Sequence, residues 1–304
     1  MTTIPHSPFP KGVVLAMGTF DGVHRGHRAI IKKAVASARA LGCPSLAMTF
    51  HHPPRLFFHP SPAPSLLTLP SEKETLLKSL GIDRVVAQEF GGRLAALSAE
   101  TFYDRTIRLR WRTREIVVGY NFHFGHERRG NAAFLEERSE VSGIPVHVIA
   151  PVTWRGSLVS SGAIREHLKA GELTQANAKL GYEYFVTAPV VKGEGLGRRL
   201  GFPTANLAVP PEKIVPYGVF AVRVFLPGGG MKGGMANVGF RPTLREPHPR
   251  RTVEVNVFGF KGSLVGKTLR VSFVKKLREE KRFPSLDHLK RRLRLDADAA
   301  RAAL

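Results

Sequence analysis

Only one cysteine occurs among the 304 residues, and long apolar runs are missing. Cys43 therefore has no partner for an internal disulfide, which favours a reducing location. No apolar run approaches the roughly 18 residues that a membrane-spanning helix needs. Residues 1–12 contain no hydrophobic signal segment. We expect a cytoplasmic protein that does not span a membrane.

Acidic residues are also scarce. The chain has 24 of them against 46 lysines and arginines, so its formal net charge is +22. Strongly basic chains often bind nucleic acid, and residues 108–114 and 290–294 are candidates for phosphate contacts. The sequence contains no zinc-ligand spacing, no aromatic signature of an RNA-recognition domain and no separate basic tail. Nucleic acid is therefore not the expected partner, although a basic nucleic-acid-binding protein stays an alternative.

The length and a change of pattern predict two domains, 1–182 and 183–304. Strand and helix patterns alternate in the first domain, which predicts a Rossmann-like parallel sheet with helices on both faces. Ligands of such sheets lie at the carboxyl ends of the strands. The predicted strands are 13–17, 45–50, 84–87, 115–118 and 146–151.

Several short signals mark the helices and loops of the first domain. Gly42 is a stop signal for the helix that follows the first strand, and Ser98 is the cap of a later helix. Ser71 and Glu74 have the spacing of a capping box, which predicts a helix that begins after Ser71. The proline-rich segment 53–70 predicts an exposed loop.

The second domain has a different pattern. Short β-rich segments alternate with glycine and proline, which predicts a small six-stranded antiparallel barrel. These segments are 185–192, 219–225, 232–238, 252–258 and 269–274. Leucines at helical spacing after Ser285 predict a C-terminal helix. The fold class is thus α/β plus all-β.

Residues 18–27 read Gly-Thr-Phe-Asp-Gly-Val-His-Arg-Gly-His and lie where the first strand turns into a helix. A helix N-terminus offers free N–H groups and a positive dipole to an anion. Glycines allow a ligand to approach the backbone closely. His24 and His27 can donate hydrogen bonds to phosphate oxygens. We favour a phosphate site here over a tight turn with two surface histidines.

This decapeptide resembles the GxFDGxHxGH signature of cytidylyltransferase-like nucleotidyltransferases. It is similar to the form found in bacterial bifunctional riboflavin kinase/FAD synthetases. The resemblance implies that His24 and His27 are catalytic residues that grip the ATP phosphates while a phosphate attacks the α-phosphorus. It also implies nucleotide contacts from four further residues of the motif: Gly18, Phe20, Asp21 and Gly26.

Two more segments of the first domain resemble this family. Residues 119–125 are similar to its Gly-x-(Asp/Asn)-Phe-x-Phe-Gly element, which implies that Asn121 and Phe122 line the nucleotide and flavin pocket. We take Asn121 for a buried amide that needs partners, whereas a core role is the alternative for Phe122. Residues 160–165 resemble the Ser-Ser-Thr-x-Ile-Arg element, which implies that Ser161 and Arg165 hold ATP phosphates.

The sequence departs from the family pattern at two places. Gly162 replaces the usual hydroxyl residue of the Ser-Ser-Thr element, and 50–54 read Phe-His-His-Pro-Pro where the family tends to have Phe-acid-Pro-His-Pro. These departures weaken the match of the adenylyltransferase half. A riboflavin kinase with a degenerate first domain is therefore a second alternative.

The second domain carries a separate signature. Residues 193–206 combine a glycine-rich loop with Pro-Thr-Ala-Asn and resemble the riboflavin kinase motif. The resemblance implies that the loop wraps ATP and that Thr204 and Asn206 are ligands of Mg²⁺. Hydroxyl and amide oxygens suit this hard cation. The loop glycines expected to contact ATP are Gly193, Gly197 and Gly201.

Glu254 lies in a predicted strand, on the same face as Asn256. The resemblance implies that Glu254 is the general base that takes the proton of the riboflavin 5′-hydroxyl, although a carboxylate on a barrel strand could also be an ordinary surface residue. Residues 237–243, and Arg278 with Phe283, match elements on the flavin side of the family's site.

The resemblance covers residues 12 to about 295 and implies a bifunctional transferase. The barrel would phosphorylate riboflavin to FMN with ATP and Mg²⁺, and the parallel-sheet domain would adenylylate FMN to FAD and release pyrophosphate. The expected partners are thus the small molecules riboflavin, FMN and ATP. Oligomer formation stays open.

Overall fold

The computed structural model describes residues 8–60, 66–241 and 250–304. The chain forms two compact units. Ser161 ends the first unit, and the second continues from Gly162 to Leu304. The helical segment 162–180 thus groups with the barrel. Within the described parts of the chain, no helix has the length and apolar character needed to cross a membrane.

The first unit contains the predicted parallel sheet. The strands of this unit are β1 Val13–Met17, β2 Ser45–Phe50, β3 Arg84–Gln88, β4 Thr113–Gly119, β5 His123–Phe124, β6 Gly130–Asn131, β7 Val146–Ile149, β8 Thr153–Trp154 and β9 Ser157–Leu158. Five of them form a sheet in the order β3-β2-β1-β4-β7, and each neighbouring pair is parallel. The pairs β5-β6 and β8-β9 are separate two-stranded sheets. All five predicted strands are confirmed, with small differences at their ends.

The helices of the first unit are α1 Arg25–Leu41, α2 Arg55–Phe58, α3 Pro70–Ser79, α4 Gly92–Ala95, α5 Ala99–Phe102 and α6 Ala132–Ser142, with a π-helix at Tyr103–Arg110 and a 3₁₀ turn at His126–Arg128. Helix α1 ends at Gly42, which has the left-handed conformation at φ 60° that glycine adopts without strain. Ser98 caps α5 by accepting a hydrogen bond from the N–H of Thr101. Both of these sequence signals are confirmed.

Strand β1 is buried on both faces of the sheet. Val14 and Ala16 belong to one apolar cluster, which also contains Ile31 of α1. The alternate residues of β1 belong to a second cluster with Ile107 of the π-helix and Trp111. Covering both faces with apolar helices is what makes a parallel strand read as a continuous apolar run.

Two expectations for the segment before α3 are wrong. Helix α3 is capped at Leu69, and the carboxylate of Glu72, not that of Glu74, accepts the hydrogen bond from the N–H of Leu69 at 2.9 Å. The proline-rich segment is also not a uniform exposed loop, because it contains α2 and because residues 66–69 are buried. Leu66 and Leu67 supply apolar side chains that burial stabilises. Residues 61–65 of this segment lie outside the described residues.

The second unit is the predicted barrel with its helices. The elements are α7 Ser161–Lys169, α8 Leu173–Leu180, β10 Phe185–Val191, α9 Leu196–Arg199, β11 Ala205–Leu207, β12 Gly218–Phe225, β13 Met231–Arg241, β14 Arg250–Val257, β15 Thr268–Arg278 and α10 Leu286–Ala302. The six strands close in the order β10-β11-β14-β13-β12-β15, with antiparallel pairs. Ser285 caps α10, and Ala297 and Ala300 pack it against barrel residues such as Met235.

Candidate active sites

The turn between β1 and α1 is built around two stacked histidines. The Nδ1 atom of His24 accepts a hydrogen bond of 3.3 Å from the backbone N–H of His27, so His24 caps α1. The two imidazole rings stack with their centroids 3.6 Å apart, and the buried Phe20 meets His27 edge-on at 5.4 Å. A Cβ atom at Gly26 would lie 3.2 Å from the ring of His24, and one at Gly18 would lie 2.9 Å from Phe20. Glycine at these two positions leaves room for the aromatic rings.

His27 is neutral near pH 7. Burial, together with the charges of His24 and Lys73, holds the pKa of His27 well below its usual value. Its Nδ1 atom is shielded from solvent and has no hydrogen-bond partner among the described residues. A neutral imidazole has one N–H to donate, so His27 can stabilise an anion as a dipole and not as a cation.

Asp21 is buried and fixes the turn to the segment before α3. Its carboxylate accepts hydrogen bonds from the N–H groups of Leu67 and Thr68, at 3.0 and 3.1 Å. The hydroxyl of Thr68 in turn accepts from the N–H of Gly22 at 3.0 Å. The hydroxyl of Ser161, the first residue of α7, donates to the backbone carbonyl of Asp21 at 2.8 Å. The structure thus places Ser161 against the histidine turn.

The remaining site residues predicted in the first domain differ in how exposed they are and in what they contact. Asn121 lies in the turn after β4, at the same sheet edge as His24 because β1 and β4 are parallel. Its side chain is exposed, so the expectation of a buried amide is wrong. Phe122 is half-buried and packs against the core, stacked on Phe124 at 5.6 Å. Arg165 is half-buried in the part of α7 that groups with the second unit.

The second unit contains a cleft of about 280 Å³ at the barrel wall, which we call the barrel cleft. Five of the predicted residues line it: Gly197, Thr204, Asn206, Glu254 and Arg278. The strand register explains why they meet. Glu254 of β14 is paired with Asn206 of β11 on one side and with Asn237 of β13 on the other, and side chains of directly opposed residues lie on the same face.

The oxygen atoms of Thr204 and Glu254 are neighbours in the cleft. The Oγ1 atom of Thr204 lies 3.5 Å from a carboxylate oxygen of Glu254. The amide of Asn256 donates a hydrogen bond of 2.7 Å to the carbonyl of Pro203, which fixes the chain just before Thr204. Asn256 lines the cleft together with Glu254, as the period of the strand predicts.

Two glycines of residues 193–201, Gly193 and Gly197, pack against this segment. A Cβ atom at Gly193 would collide with the amide of Asn206, and one at Gly197 would collide with the carbonyl of Phe202. Gly201 has a φ of +85°, a conformation that costs a residue with a Cβ atom free energy. The loop can therefore cover the Thr204–Asn206 segment closely only because it is glycine-rich.

Arg278 is held by a buried carboxylate that sequence reasoning missed. Asp296 of α10 is 1% exposed and accepts hydrogen bonds from Arg278, at 2.7 Å from Nη2, and from Arg292, at 2.9 Å from Nε. The guanidinium of Arg278 also lies 5.6 Å from the ring centroid of Phe283. No local pattern in the sequence joins Asp296 to β15, since the contact forms only when α10 packs on the barrel.

Glu280 is a second carboxylate of the cleft that the sequence did not single out. It accepts hydrogen bonds from the hydroxyl of Tyr217 and, at 3.4 Å, from the amide of Asn237. The hydrogen bond to Glu280 raises the pKa of Tyr217. Of the predicted flavin-side segment 237–243, residues 242–243 lie outside the described residues.

Comparisons with known proteins agree with a chain of two different domains. A family model described as FAD synthetase matches residues 6–163, and one described as riboflavin kinase matches residues 180–304. Proteins described as bifunctional riboflavin kinase/FMN adenylyltransferase are similar along nearly the whole chain. The one from Pseudomonas fluorescens is 38% identical over 97% of this chain and 94% of its own length. The one from Escherichia coli K12 is 35% identical over 96% and 92%.

A relative from Bacillus subtilis with the same description is 30% identical over 94% of this chain and 91% of its own. A solved structure described as a macrolide-efflux protein from Streptococcus pneumoniae has a TM-score of 0.86 and 29% identity, and it covers 96% of this chain and 94% of its own. The chain thus contains both catalytic domains, in the same order and over nearly the same length as these relatives. Domains of these two kinds imply ATP, FMN and FAD as substrates and products. The chain therefore belongs to the bifunctional riboflavin kinase/FMN adenylyltransferase family.

Proposed function

We propose that the barrel cleft phosphorylates riboflavin and that the histidine turn adenylylates the FMN formed. In this proposal residues 183–304 form the kinase domain and residues 1–182 the adenylyltransferase domain. The observation that carries the kinase assignment is the grouping of Thr204, Asn206 and Glu254 in one cleft beside a glycine-rich loop. The enzyme uses small-molecule substrates, and a cytoplasmic location is in keeping with the single buried cysteine.

In the kinase step Glu254 accepts the proton of the riboflavin 5′-hydroxyl. The hydroxyl oxygen forms a bond to the γ-phosphorus of ATP, the bond from that phosphorus to the β,γ-bridging oxygen breaks, and ADP leaves. Positioning and charge stabilisation supply most of the rate in such transfers. The loop that contains Gly193 and Gly197 holds ATP against the cleft, and Arg278, oriented by Asp296, places a positive charge at its wall.

The donors in the cleft suit Mg²⁺. The hydroxyl of Thr204 and the amide oxygen of Asn206 are hard oxygen ligands next to the Glu254 carboxylate, and Mg²⁺ commonly combines one or two protein oxygens with water and substrate phosphates. Bound there, the cation would neutralise charge on the β- and γ-phosphates of ATP.

In the adenylylation step a phosphate oxygen of FMN forms a bond to the α-phosphorus of ATP. The bond to the α,β-bridging oxygen breaks, and pyrophosphate leaves. His24, His27 and the N-terminus of α1 present N–H groups to the charge that develops, and such fixed donors need no reorganisation. Gly162 lacks a hydroxyl, but the hydroxyl of Ser161 binds the backbone of Asp21 and keeps the start of α7 in place.

One assay of the full chain tests this proposal. The protein is incubated with riboflavin, ATP and Mg²⁺, and FMN and FAD are resolved by chromatography over time. We expect FMN to appear first and FAD to follow. Accumulation of FMN alone, also when FMN is supplied at saturation, would contradict the adenylylation assignment, and failure to form FMN would contradict the kinase assignment.

A further inference from the structure

Lys73 is a buried lysine at the carboxyl edge of the parallel sheet that neither the motifs nor the family resemblance singles out. Lys73 is 3% exposed. The Nζ atom donates hydrogen bonds to the carbonyl oxygens of Thr19, at 3.2 Å, and Phe50, at 2.5 Å. Phe50 is the last residue of β2, and Thr19 comes just after β1. The ammonium therefore ties together the ends of two neighbouring strands at the edge where ligands of parallel sheets bind.

The burial of this charge has a cost. Burial lowers the pKa of Lys73 to about 8, and the charge of Asp21 opposes this shift. The carboxylate of Asp21 accepts hydrogen bonds from the backbone of residues 67 and 68, and the ammonium of Lys73 donates to two neutral carbonyls. A buried ammonium without a hydrogen-bonded carboxylate is unfavourable for stability. Perturbed buried groups of this kind are concentrated at functional sites.

Lys73 faces the same site as His27. The two groups are close enough for the charge of Lys73 to lower the pKa of His27. Since His27 is neutral, Lys73 is a buried positive charge beside it. The shielded Nδ1 atom of His27 has no hydrogen-bond partner among the described residues. It is a second buried polar feature on this side of the turn.

We propose that Lys73 is a positioning residue of the adenylylation site, which holds the ends of β1 and β2 and supplies a fixed positive charge beside His27 for the ATP phosphates. This inference rests on the proposed adenylylation at the histidine turn. Lys73 gains and loses no proton in the reaction, in which FMN displaces pyrophosphate from the α-phosphorus. Its ammonium offsets negative charge that moves onto the departing pyrophosphate.

The test compares three full-length proteins: the wild type, Lys73→Met and Lys78→Met. Lys78 is the matched control, because it lies on the same helix but is exposed and pairs with Glu74 at 2.7 Å. We expect Lys73→Met to lose about 10²-fold in kcat/KM for FAD formation, the effect of removing one fixed electrostatic donor. Lys78→Met should behave as the wild type, and riboflavin phosphorylation should be unchanged in both variants.

A pH profile separates this role from a purely structural one. The charge of Asp21 acts on Lys73, and the charges of His24 and Lys73 act on His27. We expect kcat/KM of the wild type and Lys78→Met for ATP in FAD formation to fall as pH rises above about 8, where Lys73 loses its proton. Lys73→Met should lack this fall. In Lys73→Arg the fall should move to higher pH, because a guanidinium stays protonated.

Two results would overturn the inference alone: FAD formation by Lys73→Met at the wild-type rate, or an alkaline fall that is the same in Lys73→Met, Lys73→Arg and the wild type. If Lys73→Met fails to fold, as judged by its thermal unfolding, the Lys73→Arg profile decides. Absence of FAD formation in the wild type and in Lys78→Met would instead overturn the adenylylation assignment, and with it this inference.

Discussion

A carboxylate between two amides is the central feature of the barrel cleft. Glu254 lies on β14 with Asn206 and Asn237 as its cross-strand neighbours. Glu254→Gln keeps the size of the side chain but removes its basicity. We expect this variant to lose riboflavin phosphorylation by roughly 10²- to 10⁴-fold, the usual effect of removing a general base. FAD formation from supplied FMN is the internal control and should be retained. Kinase activity near that of the wild type would exclude Glu254 as the base.

Thr204 is the second residue of the cleft whose role can be tested directly. Its Oγ1 atom is 3.5 Å from Glu254, and we assign it to the Mg²⁺ shell. Thr204→Ala should raise the Mg²⁺ concentration needed for half-maximal kinase activity, since an oxygen ligand is lost. Thr268→Ala, at an exposed position of β15, is the control. An unchanged Mg²⁺ dependence in Thr204→Ala and in Asn206→Ala would mean that this segment is structural.

His27 is the corresponding residue of the histidine turn. His27→Ala removes a neutral donor whose ring is fixed by stacking on His24. Losing one such preorganised donor typically costs about 10²- to 10³-fold in kcat, so we expect FAD formation to fall by that factor. Riboflavin phosphorylation should stay at the wild-type rate. If FAD formation by His27→Ala equals that of the wild type, the turn is not the adenylylation site.

At the scale of elements, α10 is the helix that joins barrel packing to the cleft. Asp296 receives hydrogen bonds from Arg278 and Arg292 while it is 1% exposed. Asp296→Ala would leave the guanidinium of Arg278 without its buried partner, and breaking such a pair costs about 3–5 kcal/mol. We expect a loss of unfolding free energy of that order in urea denaturation, together with weaker kinase activity.

The control for this prediction lies two residues away. Asp298 pairs with Arg301 at 3.0 Å, but both side chains are largely exposed. An exposed pair contributes about 0–1 kcal/mol, so Asp298→Ala should unfold nearly as the wild type does. Equal destabilisation by the two substitutions would contradict the role given to Asp296.

Elements with a complete local pattern were predicted well from the sequence. Helix α1 has both of its end signals, and the apolar run of β1 identifies a strand buried on two faces. The predicted start of α3 is wrong because the cap is formed by the backbone N–H of Leu69 and the carboxylate of Glu72. The spacing of Ser71 and Glu74 indicated a different cap. Strand β11 was not predicted, since three residues are too short for a period and pairing with β10 and β14 fixes it.

The site residues divide in the same way. Glycines and histidines in motifs could be found from their order in the chain. Lys73, Glu280 and Asp296 could not, because each acts through partners that only the folded chain brings near: strand-end carbonyls, a tyrosine hydroxyl and two guanidinium groups. The exposure of Asn121 could not be predicted either, because it depends on the conformation of the turn after β4 and not on the residue types of the motif.

At the scale of the whole molecule, two chemistries occur in one chain whose net charge is +22. Both activities act on anions, and a positive surface raises their encounter rate in a salt-dependent way. Two separate sites should be separable by mutation. A chain defective in the first step and a chain defective in the second should therefore complement each other through FMN that is released and rebound.

The most direct measurement is FAD formation from riboflavin by Glu254→Gln and His27→Ala, each alone and then mixed. We expect Glu254→Gln alone to form neither FMN nor FAD from riboflavin, and His27→Ala alone to stop at FMN. The mixture should form FAD, because FMN made by one protein is the substrate of the other. Loss of both activities in either variant, or a mixture that still stops at FMN while Glu254→Gln cannot use supplied FMN, would contradict the assignment of the two steps to two separate sites.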